Sequence, residues 1–197
     1  MEEKTDQANA IAAREAEIRA ATIGPVTRLN GRIELLAHDP QWPLLFEREA
    51  ERLRGVLGER ALRIEHVGST AVPGLAAKPV IDMVMVVADS ANEAAYVPPM
   101  ERAGYILCIR EPGWHEHRLF KGPATDINLH VFSAGCPEVE RMLVFRDWLR
   151  VNEADRHFYA RTKGQLAKRE WRFVQDYADA KTTVVEEILK RAQAALD

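Results

Sequence analysis

Cysteine is nearly absent from this chain of 197 residues; Cys108 and Cys136 are the only two. They form no C-x-x-C pair, so neither a disulfide framework nor a zinc knuckle is indicated, and two reduced thiols fit a cytoplasmic setting. Long apolar runs are missing as well. The longest, Pro79–Ala88, is interrupted by Asp82, and it falls well short of the roughly 18 residues that span a bilayer. Met1–Ala10 carries Glu2, Glu3 and Asp6 and lacks the apolar segment of a secretory signal. No membrane partner and a cytoplasmic location are therefore expected. Nor is there an excess of one charge: 27 basic against 30 acidic residues give a formal net charge of −3. That argues against broad attachment to a nucleic acid polymer. It leaves a single nucleotide open, because a neutral surface can still hold a local basic patch. Internal repeats and low-complexity linkers are also lacking.

What is present is an ordinary globular composition, 47% hydrophobic and 29% charged, enough for one domain. Residues 1–32 read as an N-terminal extension: a weak Ala/Glu/Arg-rich helix over 1–22, then a hairpin over 26–36 around Asn30-Gly31. A domain over 33–197 follows. Its first helix is expected from Asp39-Pro40 to Gly58, with Trp42, Leu45, Phe46, Ala50, Leu53 and Leu57 on one stripe. Strands are expected at Ala61–Val67, Pro79–Ala88, Tyr105–Arg110, Arg118–Lys121 and Asp126–Phe132. A helix at Ser90–Ala103 is damaged by Pro98-Pro99. Pro137–Val151, Ala154–Glu170 and a stretch from about Arg172 read as helices. The fold class is α+β, a mixed sheet flanked by helices with a C-terminal helical block.

The segment that carries chemistry runs His66-Val-Gly-Ser-Thr-Ala-Val-Pro-Gly-Leu-Ala-Ala-Lys-Pro-Val-Ile-Asp82. A strand ends at Val67, and Gly68, Ser69 and Thr70 follow at once. Glycine allows close backbone approach, two hydroxyls add donors, and exposed N–H groups at such a turn cradle phosphate. Asp82 stands inside an apolar strand, where a carboxylate is costly unless a cation, a metal or hydrogen bonds compensate it. The spacing is not that of a Walker loop: five residues separate Gly68 from Gly74, and neither Ser nor Thr follows Lys78.

This segment resembles the signature of the GrpB family. The resemblance extends to Asp39-Pro-Gln-Trp-Pro-Leu-Leu-Phe46, to Leu129-His130-Val131 and to the helices with Phe145-Arg-Asp-Trp-Leu149, Tyr159-x-x-x-Lys163 and Tyr177-x-x-x-Lys181. It covers about residues 34–192. It implies a nucleotidyltransferase-like α+β fold, and similar domains occur fused to dephospho-CoA kinase. The superfamily pattern is a Gly-Ser, a gap, then two carboxylates two apart on a strand and a third on a later strand. Gly68-Ser69 and Asp82 match it. The carboxylates of such a site bind two divalent cations that activate the attacking hydroxyl. Here the partner of Asp82 would be residue 84, which is Val84. On the later strand Asp126, Asn128 and His130 share a face, so Asp82, Asp126 and His130 are the candidate ligands of Mg²⁺ or Mn²⁺.

The expected catalytic residues are Asp82 and His66, the latter pointing towards the same ligand as Gly68. The expected phosphate contacts are Gly68, Ser69, Thr70, Lys78, Arg118 and Lys181, with Lys121 the rival of Arg118. Arg146/Arg150, Tyr159/Lys163 and Tyr177/Lys181 are pairs one helical turn apart, and one such face would overhang the cleft. Trp42, Trp148 and Trp171 read as core or interface anchors. The expected partner is a nucleotide or another phosphorylated small molecule, and the expected activity is nucleotidyl transfer to an acceptor. Two rival readings are a catalytically silent nucleotide- or CoA-related binding module and a metal hydrolase built on His66, His115, His117 and His130.

Overall fold

The computed structural model describes residues 2–26 and 28–195. Met1, Thr27, Leu196 and Asp197, which fall in the expected first helix, hairpin arm and final helix, lie outside the described residues. The helices are α1 (Glu2–Ala21), α2 (Trp42–Leu57), α3 (Val97–Arg102), α4 (Pro137–Val151), α5 (Glu153–Ala167), α6 (Val174–Asp179) and α7 (Thr182–Ala194). The strands β1 (Arg63–Val67), β2 (Ile81–Val87), β3 (Ile106–Glu111), β4 (His117–Lys121) and β5 (Ile127–Ser133) form one sheet in the order β1-β2-β5-β4-β3. β2 and β5 are parallel and the other neighbours antiparallel, which makes the sheet mixed, as expected.

Alternation along β2 sorts the two faces. Ile81, Met83, Met85 and Val87 pack against Phe46, Ala50 and Leu53 of α2. Val84 and Val86 point the other way and meet Phe132 with Val139 and Leu143 of α4. A strand covered on both faces needs the near-continuous apolar run that β2 has. Asp82, on the α4 side, breaks that run at its start. Val72, Leu75, Leu149, Tyr159, Val184 and Ile188 form a further apolar cluster that ties the loop after β1 to α4, α5 and α7.

The N-terminal segment departs from expectation. Asn30 does take a left-handed turn conformation, with φ 45°, but among the described residues the arms around it do not pair with each other. Gly31 bridges Trp171, and Leu36 exchanges backbone hydrogen bonds of 2.8 and 2.9 Å with Ala77. The physical reason is burial. Ile33, with Leu29 and Leu35 against it, packs on Leu166, Ala167 and Tyr177, whereas a lone two-stranded hairpin is marginal in water. α1 is tied down by polar contacts: Arg14 meets Asp176 at 3.1 Å and also Asp179, and Glu15 meets Arg172 at 3.0 Å. The Ile23 N–H then reaches the Cys108 carbonyl at 2.8 Å, so the extension links the β3 edge to α6.

Smaller differences have local causes. α2 is capped at Gln41 rather than Asp39, and the Asp39 carboxylate instead accepts the Gln41 N–H at 2.8 Å in the turn that leads in. The Ser90–Ala103 helix shrinks to α3, with its prolines in the first turn, where missing N–H donors cost nothing. The final helix is broken between Asp179 and Thr182, with Ala180 and Lys181 at the junction.

Candidate functional site

Gly68 follows β1 with φ 68°. A Cβ there would lie 2.5 Å from Asp82 Oδ2 and 2.8 Å from Asp82 Cβ. Glycine is therefore required twice, for its backbone conformation and for the approach of the turn to the carboxylate. Ser69–Ala71 coil into a short 3₁₀ turn directly above. Asp82 Oδ1 accepts a hydrogen bond from Asn128 Nδ2 at 2.8 Å, its register partner on β5. Burial holds the Asp82 carboxyl above the ordinary range, against the pull of that hydrogen bond and of Lys181, Lys121 and Lys78.

Four lysines from four different parts of the chain gather around this carboxylate. Lys121, at the end of β4, donates to Asn128 Oδ1 at 2.8 Å and to Asp126 Oδ1 at 3.2 Å. Lys163 of α5 is 2% exposed. It donates to Ser69 Oγ at 2.8 Å and to the Ala76 carbonyl at 2.7 Å, and it lies 5.0 Å from the Tyr159 ring centre. Burial, with help from Lys181, lowers its pKa to about 7. Lys78 is shifted down by burial and by Lys121 and Lys181. Lys181 lies over the Tyr177 ring at 4.5 Å. The pair expected on one helical turn in fact straddles the break between α6 and α7. Among the described residues the Tyr177 hydroxyl has no hydrogen-bond partner although it is buried, a state that normally costs about 1–3 kcal/mol.

Other expected site residues lie elsewhere. His66 shares the α2 face with Ile64, because its register partner is Met83 and not Asp82. It stacks on Phe46 at 4.9 Å, and its Nε2 is 3.0 Å from Thr70 Oγ1. Burial first, then Arg150 and Arg146, lowers its pKa to about 4. The expectation that it points at the same ligand as Gly68 is thereby corrected, and Thr70, 1% exposed, spends its hydroxyl on His66. Arg118 alternates with Lys121 on β4 and so faces the opposite way. It is 4% exposed and bound to Glu93 and Glu116. Lys121, not Arg118, faces Asp82. Arg146 and Arg150 serve as braces: Arg146 reaches Glu65 and the His66 carbonyl, each at 2.9 Å, and Arg150 reaches the Ala71 carbonyl at 3.0 Å. Trp42 is core, while Trp171 seals the Leu166 end of α5 through a 2.8 Å hydrogen bond.

The metal expectation meets a different donor set. Asp126 is exposed and engaged by Lys121. His130 lies level with Val84, one row of the sheet beyond Asp82, and its Nδ1 meets His117. Among the described residues no three His, Cys, Asp or Glu side chains are placed to hold an ion. A single carboxylate ringed by lysines does not fit a two-cation centre, since each lysine repels the metal. The four-histidine hydrolase site is not assembled either, because His66 faces away from His117 and His130.

The arrangement is suited to an anion. Residues that the spacing did not assign are Asn128 as the partner of Asp82, Lys163 on Ser69, and the orphaned Tyr177 hydroxyl. The signal for the first was available, since Asp82 and Asn128 occupy like positions in parallel strands. The other two arise from contacts between segments about 90 residues or more apart.

Comparison with known proteins extends this picture. Residues 32–191 match the family model described as GrpB protein. A UPF0157 protein of Halalkalibacterium halodurans is 59% identical over 189 residues, which cover 96% of this chain and 97% of that protein. A UPF0157 protein of Streptomyces coelicolor is 42% identical over 83% of this chain and 86% of its own length. A dephospho-CoA kinase of Mycolicibacterium paratuberculosis is 30% identical over 81% of this chain but only 46% of its own length. Among solved structures, the crystal structure of conserved protein GrpB from Enterococcus faecalis aligns with TM-score 0.72 at 33% identity, over 83% of this chain and 99% of that one. A cytoplasmic RNA terminal U-transferase aligns with TM-score 0.47 at 12% identity, over 71% of this chain and 42% of its own, a likeness of outline only.

Proposed function

The chain belongs to the GrpB family, and from that premise we propose that it binds a nucleoside triphosphate or a kindred phosphorylated small molecule between the Gly68–Thr70 turn and the lysines of β4, α5 and the α6–α7 junction. The observation that carries this reading is the convergence of Lys78, Lys121, Lys163 and Lys181 on Asp82 and Ser69. In the bound state lysine ammonium groups neutralise the phosphates, and the turn's N–H groups and the Ser69 hydroxyl orient them. Lys163 is the most consequential of the four. An amine whose pKa sits near 7 in an unliganded site becomes fully charged once a phosphate joins it. The Tyr177 hydroxyl supplies a donor that the chain itself leaves unused. Asp82 spaces the lysines and fixes Asn128. Transfer of the nucleotidyl group to an acceptor hydroxyl is the reaction such a cradle would serve.

The experiment is thermal unfolding with ATP, GTP, CTP and UTP at millimolar concentration, each in EDTA and in Mg²⁺. At least one nucleotide is expected to stabilise the protein in both media, and Lys163→Met to reduce the effect sharply. No stabilisation by any of the four would overturn the reading.

Val84 and the dephospho-CoA kinase relatives favour a second reading, a binding module of the CoA pathway that performs no transfer. Ligand binding that survives Asp82→Ala, with no turnover in either protein, would select it.

A further inference from the structure

Tyr177 and Lys181 stand on or beside α6, a helix of only six residues. So short a helix has little stability of its own and lies where its neighbours place it. Its inner side is apolar. Tyr177 packs with Ile33, Leu166 and Ala167, and its ring meets Trp171 edge-on at 6.1 Å. Leu166 and Ala167 follow Lys163 by one turn on the same face of α5, so Tyr177 sits within one helical turn of Lys163. Lys181 precedes α7 directly and accepts the Val185 N–H on its carbonyl at 3.0 Å. In α7, Val184 packs with Val72, Leu75 and Tyr159, beside the Ser69 turn.

The outer side of α6 is held by charge, and the holder is the N-terminal extension. Arg14 Nε donates to Asp176 Oδ1 at 3.1 Å, and Arg14 Nη2 meets the Asp179 carboxylate. Asp176 accepts the Phe173 N–H on its other oxygen at 3.2 Å, at the start of α6. Asp176 and Asp179 share a face of the helix, while Tyr177 is turned about 100° from Asp176. Next to Arg14, Glu15 binds Arg172 at 3.0 Å. From the other side the Leu29 N–H reaches the Arg172 carbonyl at 2.8 Å, and Gly31 bridges Trp171. The far end of α1 is fixed to the sheet by the 2.8 Å bond from the Ile23 N–H to the Cys108 carbonyl.

The Tyr177 side is where this clasp matters. Tyr177 is 5% exposed, and its hydroxyl has no partner among the described residues. A buried hydroxyl held in place but left unpaired is a contact kept for a molecule from outside the chain. Lys181, 4.5 Å from the centre of the same ring, makes the matching group an anionic oxygen. The Arg14 side chain keeps 30% exposure, so its ion pairs add little to global stability. What they fix is the placement of α6.

We infer that Arg14 is a positioning residue of the ligand site: without touching the ligand, it holds α6 so that the Tyr177 hydroxyl and the Lys181 ammonium meet a phosphate of the bound nucleotide. The inference rests on the nucleotide reading. It makes the N-terminal extension part of the binding apparatus.

The test uses the full chain with ATP as the probe. Arg14→Met should weaken ATP binding about five-fold by calorimetry, with the unliganded unfolding temperature within a few degrees of wild type. Asp179→Asn loosens the same clasp from the α6 side and should weaken binding as well. The shared sign is decisive, because a bare long-range charge effect would make Arg14→Met weaken and Asp179→Asn strengthen the binding of an anion. Amide exchange read by mass spectrometry should quicken over residues 173–181 in both variants and stay unchanged over 159–167. Arg14→Lys covers the case in which Arg14→Met fails to fold. It keeps the charge but not the fork that spans two carboxylates, and should give a smaller loss of the same sign. Unchanged ATP affinity, effects of opposite sign, or unchanged exchange over 173–181 each overturn the positioning role. Absence of ATP binding by the wild type overturns the nucleotide reading, and the positioning role with it. The exchange measurement needs no ligand, so it tells the two failures apart.

Discussion

The two faces of the sheet treat charge in opposite ways. Towards α2 and α3, buried ionisable groups are matched within the chain. Arg118 binds Glu93, and Arg110 binds it too, which together hold the Glu93 carboxyl down at about 2. Glu49 accepts the Tyr105 hydroxyl. His66 is neutral and bonded to Thr70. Towards α5 and α6 the sum does not close. Four lysines face Asp82 and the exposed Asp126, one of them is buried with a pKa near 7, and a tyrosine hydroxyl has no partner. The first face stabilises the fold. The second gathers more positive than negative charge around Asp82, and on that imbalance rests the proposal that it binds an anion.

The largest effect should come from the point where that second face is built. Gly68→Ala places a Cβ against Asp82 in a left-handed backbone, so we predict a loss of about 3 kcal/mol of stability and of all ATP binding. Denaturant unfolding and thermal shift check it. Next, Lys163→Met should weaken ATP binding by roughly 50-fold yet leave the unliganded protein as stable as before or more so, because a buried, half-neutralised cation is removed. Calorimetry would read both.

Acid should test a buried histidine on each face. His66 and His130 have folded pKa values of about 4 and about 3, below the ordinary 6.5. The unfolded chain thus binds more protons between those values. Stability is complete above about pH 6.5 and falls as pH drops, by about 2 kcal/mol per ring at pH 5. Urea midpoints at pH 7.5 and 5.0 should differ accordingly, and His66→Gln should roughly halve the difference. Asp82→Asn is a finer probe. With lysines as the neutralising charge, it should tighten ATP binding by a few-fold in EDTA and in Mg²⁺ alike, whereas a carboxylate acting as a metal ligand would give a loss in Mg²⁺. Smallest of all, Arg118→Met should leave ATP affinity within about two-fold, although it removes one of the two arginines bound to Glu93.

Much of this was legible in the residues. Pro137–Val151 and the five strands could be read because apolar periodicity is local, and β2 stood out because both of its faces are buried. Gly68 and Asp82 could be found from spacing because the turn that joins them is continuous in sequence. The side-chain assignments failed where parity mattered. His66 and Arg118 each lie one or three residues from a group that faces Asp82, and in a strand an odd offset reverses the face. Lys163 and Tyr177 lie on helices whose docking against the Ser69 turn depends on tertiary packing. The hairpin at Asn30-Gly31 was a sound local reading that lost to burial of Ile33 in the helical block.

The central claim is that lysines, Lys163 above all, await an anion. It is tested most directly by titrating ATP calorimetrically into the protein at pH 7.5 in EDTA, in two buffers of different ionisation heat. Binding should take up a fraction of a proton, because phosphate raises the pKa of an amine now near 7. Lys163→Met should bind weakly with that uptake removed. Binding that requires Mg²⁺, or that proceeds with the same proton balance in wild type and variant, would contradict the account.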